Sequence, residues 1–422
     1  MVAAAPFRGL RFDPAVVGDP GAVTAPPYDV ISPAARDAYE AQNPYNMVRL
    51  ILARTDRESR DRYRPVAELM EAWRARGALV LDPEPALYLY EEAYELRGTR
   101  RVQRGVLASV ALDDTGGWIL PHERTMAGPV NDRLHLLEAT RTNLSPVFGV
   151  YAGAGQAAAV LDDLTTTRPA VDWVDETGVR HRLWPVTDRR RIASWCGLLA
   201  PHRVVIADGH HRYRTSLAYR ESMRAAGPGP WDQLLMFLVD ADLHGPSILP
   251  IHRLLLQLPP QAVLDALAGD FEARPAGRPA ELEAALRAVP DDRTGFGLVG
   301  PGQSWLLVAS DQSALASEAG IDRQPLDVEV LHGPVLAKRL GVTDFEGQVA
   351  YQNDLAEAAA QVERGSAASL VVLRATPFSQ VVTLARNGGT LPQKTTFFYP
   401  KPRDGLVLRP LYPDAFARPA DG

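Results

Sequence analysis

The 422-residue chain reads as an α+β protein with a mixed sheet, built in several parts. Three observations predict this. Strand-like and helix-like segments alternate irregularly along the chain, with no solenoid-period repeat and no low-complexity tract. With 46% hydrophobic and 23% charged residues, the apolar material suffices for two or three cores. Turn and cap residues punctuate the apolar runs at the spacing of short globular elements.

The elements follow in order. In "APPYDVISPAARDAYE" a proline-rich extended stretch leads to Ser32 as N-cap and Pro33 at the first helical position, which predicts a helix over about 34–41. "RYRPVAELMEAWRARGALV" predicts a second helix closed by Gly77. "ALYLYEEAYEL" and "QRGVLASVAL" read as paired strands joined by a turn at Gly98. In "LPHERTMAGPVNDRLHLLEATRTNLSPVFGVY" the polar group His122, Glu123, Arg124 and Thr125 leaves a strand end. Asn131 is expected to cap a helix with Leu134 and Leu137 on one face, and "VFGVY" is a strand. "AAAVLDDLTTT" belongs to an accessory helix. Residues 203–207 form a β-branched strand, and Asp208 is expected to cap a helix anchored by Tyr213 and Leu217. Near the C-terminus, "LDVEVLHGPVLAKRLG" reads as an amphipathic helix with a structural His332. These elements divide into residues 1–150, 151–256 and 257–422.

Composition narrows the function classes. A net charge of -6 and a pI near 5.9 argue against a general nucleic-acid binder, which needs a basic face for phosphates. No run approaches the roughly 18 apolar residues of a membrane span, and the Met1 start lacks a basic-then-apolar leader profile; no membrane partner and a cytoplasmic location are expected. The single cysteine, Cys196, excludes an internal disulfide framework and a multi-cysteine zinc site, and its apolar neighbours make it an inert thiol. Of 45 basic residues only Lys338, Lys394 and Lys401 are lysine, and the last two share one loop-rich stretch. The oligomeric state is left open.

The densest chemistry lies in "VVIADGHHRYRTSLAYRE". Gly209 permits a tight turn, so the N–H groups of Gly209, His210 and His211 open a helix and cradle an anion such as phosphate. Arg212 adds a forked donor, the imidazoles move protons, and Asp208 suits Mg²⁺. A zinc reading is poor, because adjacent histidines at a helix start diverge and no i, i+4 pair supports them. "HERT" is either a surface turn whose Glu and Arg pair for about 0–1 kcal/mol or part of the site. Asp29, beside Tyr28 in "PPYDVI", serves equally as a turn residue or a pocket lining. His252 and Arg253 in "LPIHRLL" read as structural.

Taken together, "APPYDVI", "HERT" with "NDRLHLLEATRTNLSPVFGVY", "ADGHHRYRT" and "LPQKTTFFYPKPRDGLV" resemble the bacterial family catalogued as domain of unknown function 1015, over about residues 7–411. More distantly, "DGHHR" before a helix resembles the phosphate-binding signature of the ParB/sulfiredoxin superfamily, including its free-serine kinase branch. That resemblance implies a ParB/sulfiredoxin-like core with an added C-terminal α+β region. It also implies that Asp208, Gly209, His210, His211 and Arg212 form a polyphosphate loop for ATP, CTP, ADP or pyrophosphate. The family pattern places a lysine before the Asp-Arg of the middle motif; here Val130 precedes Asn131, Asp132 and Arg133, and Lys394 is expected to compensate.

The reading is a small-molecule phosphotransferase moving a phosphoryl group from a nucleotide or pyrophosphate, with Mg²⁺, to a small hydroxyl acceptor such as free serine. Glu123, His122, His210 and Asp208 are the candidate catalytic residues, with Glu123 as base and Asp208 on the metal side. Gly209, His210, His211, Arg212 and Lys394 hold phosphate, while Asp29, Arg124, Thr125, Asp132 and Arg133 meet the substrate. Two alternatives stand beside it: a nucleotide-binding regulatory module without turnover, and a metal-dependent hydrolase using His210, His211 and Asp208.

Overall fold

The computed structural model describes residues 1–55, 61–113, 117–123, 127–387, 389, 392 and 394–412. The chain forms two compact units, Met1–Ser247 with Pro400–Gly422, and Ile248–Tyr399. This differs from the three-part division expected from the sequence. The boundary at 150 falls inside a strand, Val147–Tyr151, that pairs on both sides within the first unit.

The first unit is built on a mixed sheet of nine strands among the described residues: β1 (Ala4–Ala5), β2 (Leu87–Leu96), β3 (Thr99–Ala111), β4 (Ile119–Leu120), β5 (Val147–Tyr151), β6 (Val171–Val174), β7 (Arg180–Val186), β8 (Val204–Asp208) and β9 (Gln233–Asp240). Their order is β4-β8-β5-β9-β3-β2-β7-β6, with β1 on β3. β8 runs parallel to β4 and antiparallel to β5, whereas β5 runs parallel to β9, so the mixed-sheet expectation holds. β2 and β3 close as a hairpin through Arg97 and Gly98, at φ 54° and 74°. Two positive φ values give a turn whose twist matches that of paired strands.

Helices pack on this sheet and on a neighbouring core that includes Leu10, Met47, Met70 and Trp73. α1 (Pro33–Gln42) starts as expected, with the Ser32 hydroxyl accepting from the Ala35 N–H at 3.2 Å. α2 (Arg64–Ala75) ends at Gly77, whose φ of 73° closes the last turn. α3 (Ala127–Thr140) begins before Asn131, which is therefore an interior residue and not the cap. Pro129 sits in its first turn, where an N–H has no helical partner to lose, so it does not break the helix. α4 (Arg189–Leu199) buries Ile192, Trp195 and Leu199 in the core that holds Val204 and Ile206 of β8. Cys196 lies half-buried on the same helix, its thiol pKa pushed up by burial. α5 (His210–Ser222) packs on α3, where Leu134 and Leu137 meet Tyr219 as their spacing predicts.

The second unit carries an antiparallel sheet of β10 (His252–Leu255), β11 (Phe271–Ala276), β12 (Gly295–Gly300), β13 (Gln303–Ala309), β14 (Val349–Gln352) and β15 (Ser369–Val372), in the order β11-β13-β12-β15-β10-β14. Leu254, Leu282, Leu286, Val299, Val362 and Leu370 form its core. The histidines there are structural: the His252 Nδ1 accepts from the Leu373 N–H at 3.2 Å, and the His332 Nε2 accepts from Arg253 at 3.1 Å. No helix of the described residues is long and apolar enough to cross a membrane.

Candidate functional site

The site begins where β8 stops. A register shift between Ile206 and Asp208 interrupts the strand just before the turn, and Gly209 enters the left-handed region at φ 93°. Gly209 therefore takes the cap position of α5 that the sequence assigns to Asp208. The Asp208 carboxylate is turned instead onto two cations. Its Oδ1 lies 2.5 Å from the Lys401 Nζ, and its Oδ2 accepts from Arg212 one helical turn on. The three side chains are only 13%, 13% and 12% exposed. Lys401 also reaches Asp29 at 3.2 Å, and Arg212 donates to the Pro146 carbonyl.

Burial works against ionising Asp208, yet the Lys401 ammonium and Arg212 guanidinium hold its carboxyl down at about 2. The Lys401 ammonium is likewise held above its ordinary range, because Asp208 and Asp29 outweigh the burial that opposes it. Behind this cluster sits Asp404, fully buried, with Oδ2 accepting from the Ser145 hydroxyl at 2.7 Å. Its Oδ1 has no hydrogen-bond partner among the described residues. Burial raises its pKa to about 7, although Arg212 pulls the other way.

Beside the cluster the two histidine motifs meet. The His122 and His210 rings pack edge to face at 4.8 Å, and the His122 N–H donates to the His210 Nε2 at 3.4 Å. His210 thus carries its proton on Nδ1, 3.9 Å from Glu123 Oε2. Burial lowers both imidazole pKa values, His122 to about 4 and His210 well below its ordinary value with help from His122, so both rings are neutral at pH 7. His211 follows in the first turn of α5. Arg124 and Thr125 lie outside the described residues.

Asp132 and Arg133 are anchored on α3. Asp132 accepts from Arg62 and Tyr63, both at 2.8 Å, and from Arg133 at 3.0 Å. Arg133 also donates to the Ile51 carbonyl at 2.6 Å and lies 4.5 Å over the Tyr28 ring. Arg133, Tyr28, Ser145 and Arg212 line a pocket together with Thr142, Asn143, Thr215 and Ser216, and the rest of its lining is aliphatic. A larger opening shares Tyr28 and Arg133 and is rimmed by Arg36, Arg54 and Asp132.

A family model described as "Protein of unknown function (DUF1015)" matches residues 4–332. The chain belongs to this family. No curated protein matches it. Among solved structures it is similar to a conserved hypothetical protein from Pyrococcus furiosus, at 14% identity over 73% of this chain and 96% of that one, with a TM-score of 0.36. It is also similar to a free serine kinase in complex with AMP, at 14% identity over 72% and 91% of the two chains, TM-score 0.37. A third is SbnI with a C-terminal truncation, from Staphylococcus aureus, at 11% identity over 71% and 86%, TM-score 0.36.

In this family member Asp29, His122, Glu123, Asp208, His210 and Arg212 lie together in the first unit. Lys394 is an exposed turn residue of the second unit; the cation that the first unit itself supplies at Asp208 is Lys401. Sequence reading noticed Lys401 as a rare lysine but gave it no role, and it missed Asp404 and Ser145. Asp208 does not suit Mg²⁺ here, because each of its oxygens already faces a cation that the ion would have to displace. Among the described residues no group of three His, Cys, Asp or Glu is placed to hold a metal.

Gly209 is the steric hinge of the arrangement. A Cβ there would stand 3.0 Å from the Arg212 guanidinium carbon, in a φ region that side chains avoid. Gly209→Ala is expected to cost about 1–3 kcal/mol and to loosen the Arg212–Asp208 pair. Chemical denaturation checks the first effect; a variant as stable as the parent contradicts it.

Proposed function

We propose that the first unit is a small-molecule phosphotransferase, moving a phosphoryl group from a nucleotide or pyrophosphate to a small hydroxyl acceptor. The observation that carries the reading is the convergence of two largely buried cations, Arg212 and Lys401, on the first turn of α5, with the Glu123 carboxylate and a neutral His210 alongside. Phosphoryl transfer needs little covalent help from the protein; it needs the phosphates positioned and their charge neutralised. Arg212 and Lys401 supply that charge, and the opening N–H groups of α5 add a favourable dipole end. Asp208 and Asp29 hold the two cations in place before a ligand arrives. In this reading charge neutralisation rests on these cations and not on a carboxylate-held Mg²⁺. Glu123 takes the acceptor's hydroxyl proton. The resemblance of "DGHHR" to a polyphosphate loop supports the same assignment.

Binding without turnover is the second reading, and the 3.9 Å gap between Glu123 and His210 favours it, since no hydrogen bond joins the pair. One set of measurements separates the two. Arg212→Ala should weaken ATP, ADP or pyrophosphate binding by roughly 30-fold or more in calorimetry. Glu123→Gln should leave that binding in place and reduce phosphorylated product by about 100-fold or more. Unchanged affinity in Arg212→Ala removes the site assignment. Ligand binding by the parent with no phosphorylated acceptor establishes the non-catalytic reading.

A further inference from the structure

The pocket beside Arg212 restricts the acceptor's chemistry. We infer that it takes a 2-hydroxy acid with a short apolar body, in preference to a free amino acid. The inference rests on the phosphotransferase reading for the role of the hydroxyl, and on the pocket alone for the rest. Leu136, Leu144, Val147, Leu234 and Leu235 supply an aliphatic floor beside the uncharged polar Thr142, Asn143, Thr215 and Ser216. The charged residues that line the pocket are both arginines, Arg133 and Arg212, and no carboxylate lines it among the described residues. Asp404 stands behind Ser145 and is fully buried, outside the lining.

An amino acid would bring its ammonium beside two guanidinium groups whose carboxylate partners, Asp208 and Asp132, are already engaged by them and lie outside the lining, so no carboxylate in the wall is left to receive it. A hydroxyl in the same position carries no charge and avoids that repulsion. Serine in particular would also leave the aliphatic floor uncovered, whereas methylene groups are rewarded there. Among the described residues the Arg212 guanidinium makes two hydrogen bonds, to Pro146 and Asp208, out of its five donors. Donors therefore remain for the ligand's carboxylate. The 2-hydroxyl, adjacent to that carboxylate, then lies against the cation cluster that holds the phosphates. In the reaction the hydroxyl oxygen bonds to the terminal phosphorus, the bond from phosphorus to the bridging oxygen breaks, and the hydroxyl proton passes to Glu123. The products are the 2-phosphorylated acid and the shortened polyphosphate.

The test is calorimetric titration of the full chain with glycolate, lactate, 2-hydroxybutyrate, 2-hydroxypentanoate and 2-hydroxy-4-methylpentanoate, beside serine and leucine. Affinity should rise about fourfold per added methylene until the pocket is full. 2-Hydroxy-4-methylpentanoate should bind at least about tenfold tighter than leucine, its amino counterpart, because only the ammonium meets the two arginines. A flat or falling series, or serine or leucine binding as tightly as the hydroxy acids, overturns the inference. Pyrophosphate titrated into the same preparation keeps the two claims apart. Pyrophosphate binding without the hydroxy-acid preference overturns the inference alone. The preference without pyrophosphate binding overturns the donor site and upholds the pocket assignment, and binding of neither overturns both.

Discussion

Lys401→Met is expected to lower the melting temperature of the first unit by roughly 10 °C at pH 7. The Lys401 ammonium stands between Asp208 Oδ1 at 2.5 Å and Asp29 Oδ2 at 3.2 Å and is 13% exposed. Its loss strands a largely buried carboxylate with Arg212 as its remaining cation, and breaking a buried pair from one side costs about 3–5 kcal/mol. Removing both charges, in Asp208→Asn with Lys401→Met, should return part of that loss, because the stranded carboxylate is gone although Arg212 and Asp29 each lose a partner. The pH dependence follows from the two shifts. Asp208 is held at about 2, below its unfolded value, so its stabilisation is present above about 4 and is lost as pH falls toward 2. The Lys401 pKa is raised, so its stabilisation is present below about 10 and is lost as pH rises through the folded value. Between about pH 5 and 9 the penalty of the single variant should therefore be constant. Scanning calorimetry reads it directly; a change under 2 °C, or a double variant no better than the single one, would show that the pair does not hold the cluster together (~1 kcal/mol or less).

The parts of this architecture that local chemistry specifies were readable from the sequence. Ser32 with Pro33 marks a helix start, Gly98 marks the hairpin, and a β-branched run into Asp-Gly-His-His-Arg marks a strand, a turn and a helix in that order. Strand order was not readable, because β5 finds β8 and β9 through packing between distant segments, and periodicity carries no record of the partner. The same division runs through the site. His122 and Glu123 meet His210 as their density of polar groups suggests. Lys401 and Asp404 arrive on a proline-containing segment that pairs with the N-terminal region, Asp404 with Ala25 and Leu408 with Leu10, and such isolated bridges leave no pattern. The Asp208 cap was misassigned for a local reason. An aspartate at a strand-to-helix junction is a good cap by propensity, but a glycine able to adopt φ 93° displaces it by one residue and releases the carboxylate for ion pairing.

Asp404→Asn is expected to stabilise the first unit at pH 8, by on the order of 4 kcal/mol. Asp404 is fully buried, one of its oxygens lacks a hydrogen-bond partner among the described residues, and burial lifts its carboxyl to about 7. A carboxyl whose folded pKa exceeds its unfolded one contributes most below about 4, and that contribution is lost as pH rises through about 7. Above that pH the folded protein carries a buried carboxylate beside Asp208 and Asp29, with Arg212 as the attracting charge. An asparagine keeps an oxygen to accept from Ser145 and carries no charge, so its advantage should grow by roughly 2–3 kcal/mol between pH 5 and pH 8 and then level off. Urea denaturation at the two pH values measures this, and a gain independent of pH, or a loss, would mean that Asp404 is not held protonated. The same charge bears on function through Arg212. Ionised Asp404 subtracts from the positive field that a polyphosphate meets, so the variant should bind pyrophosphate more tightly than the parent at pH 8 and equally at pH 5. Because both proteins meet the same ligand ionisation, that difference isolates the buried carboxylate, and its absence would separate Asp404 from the anion site altogether.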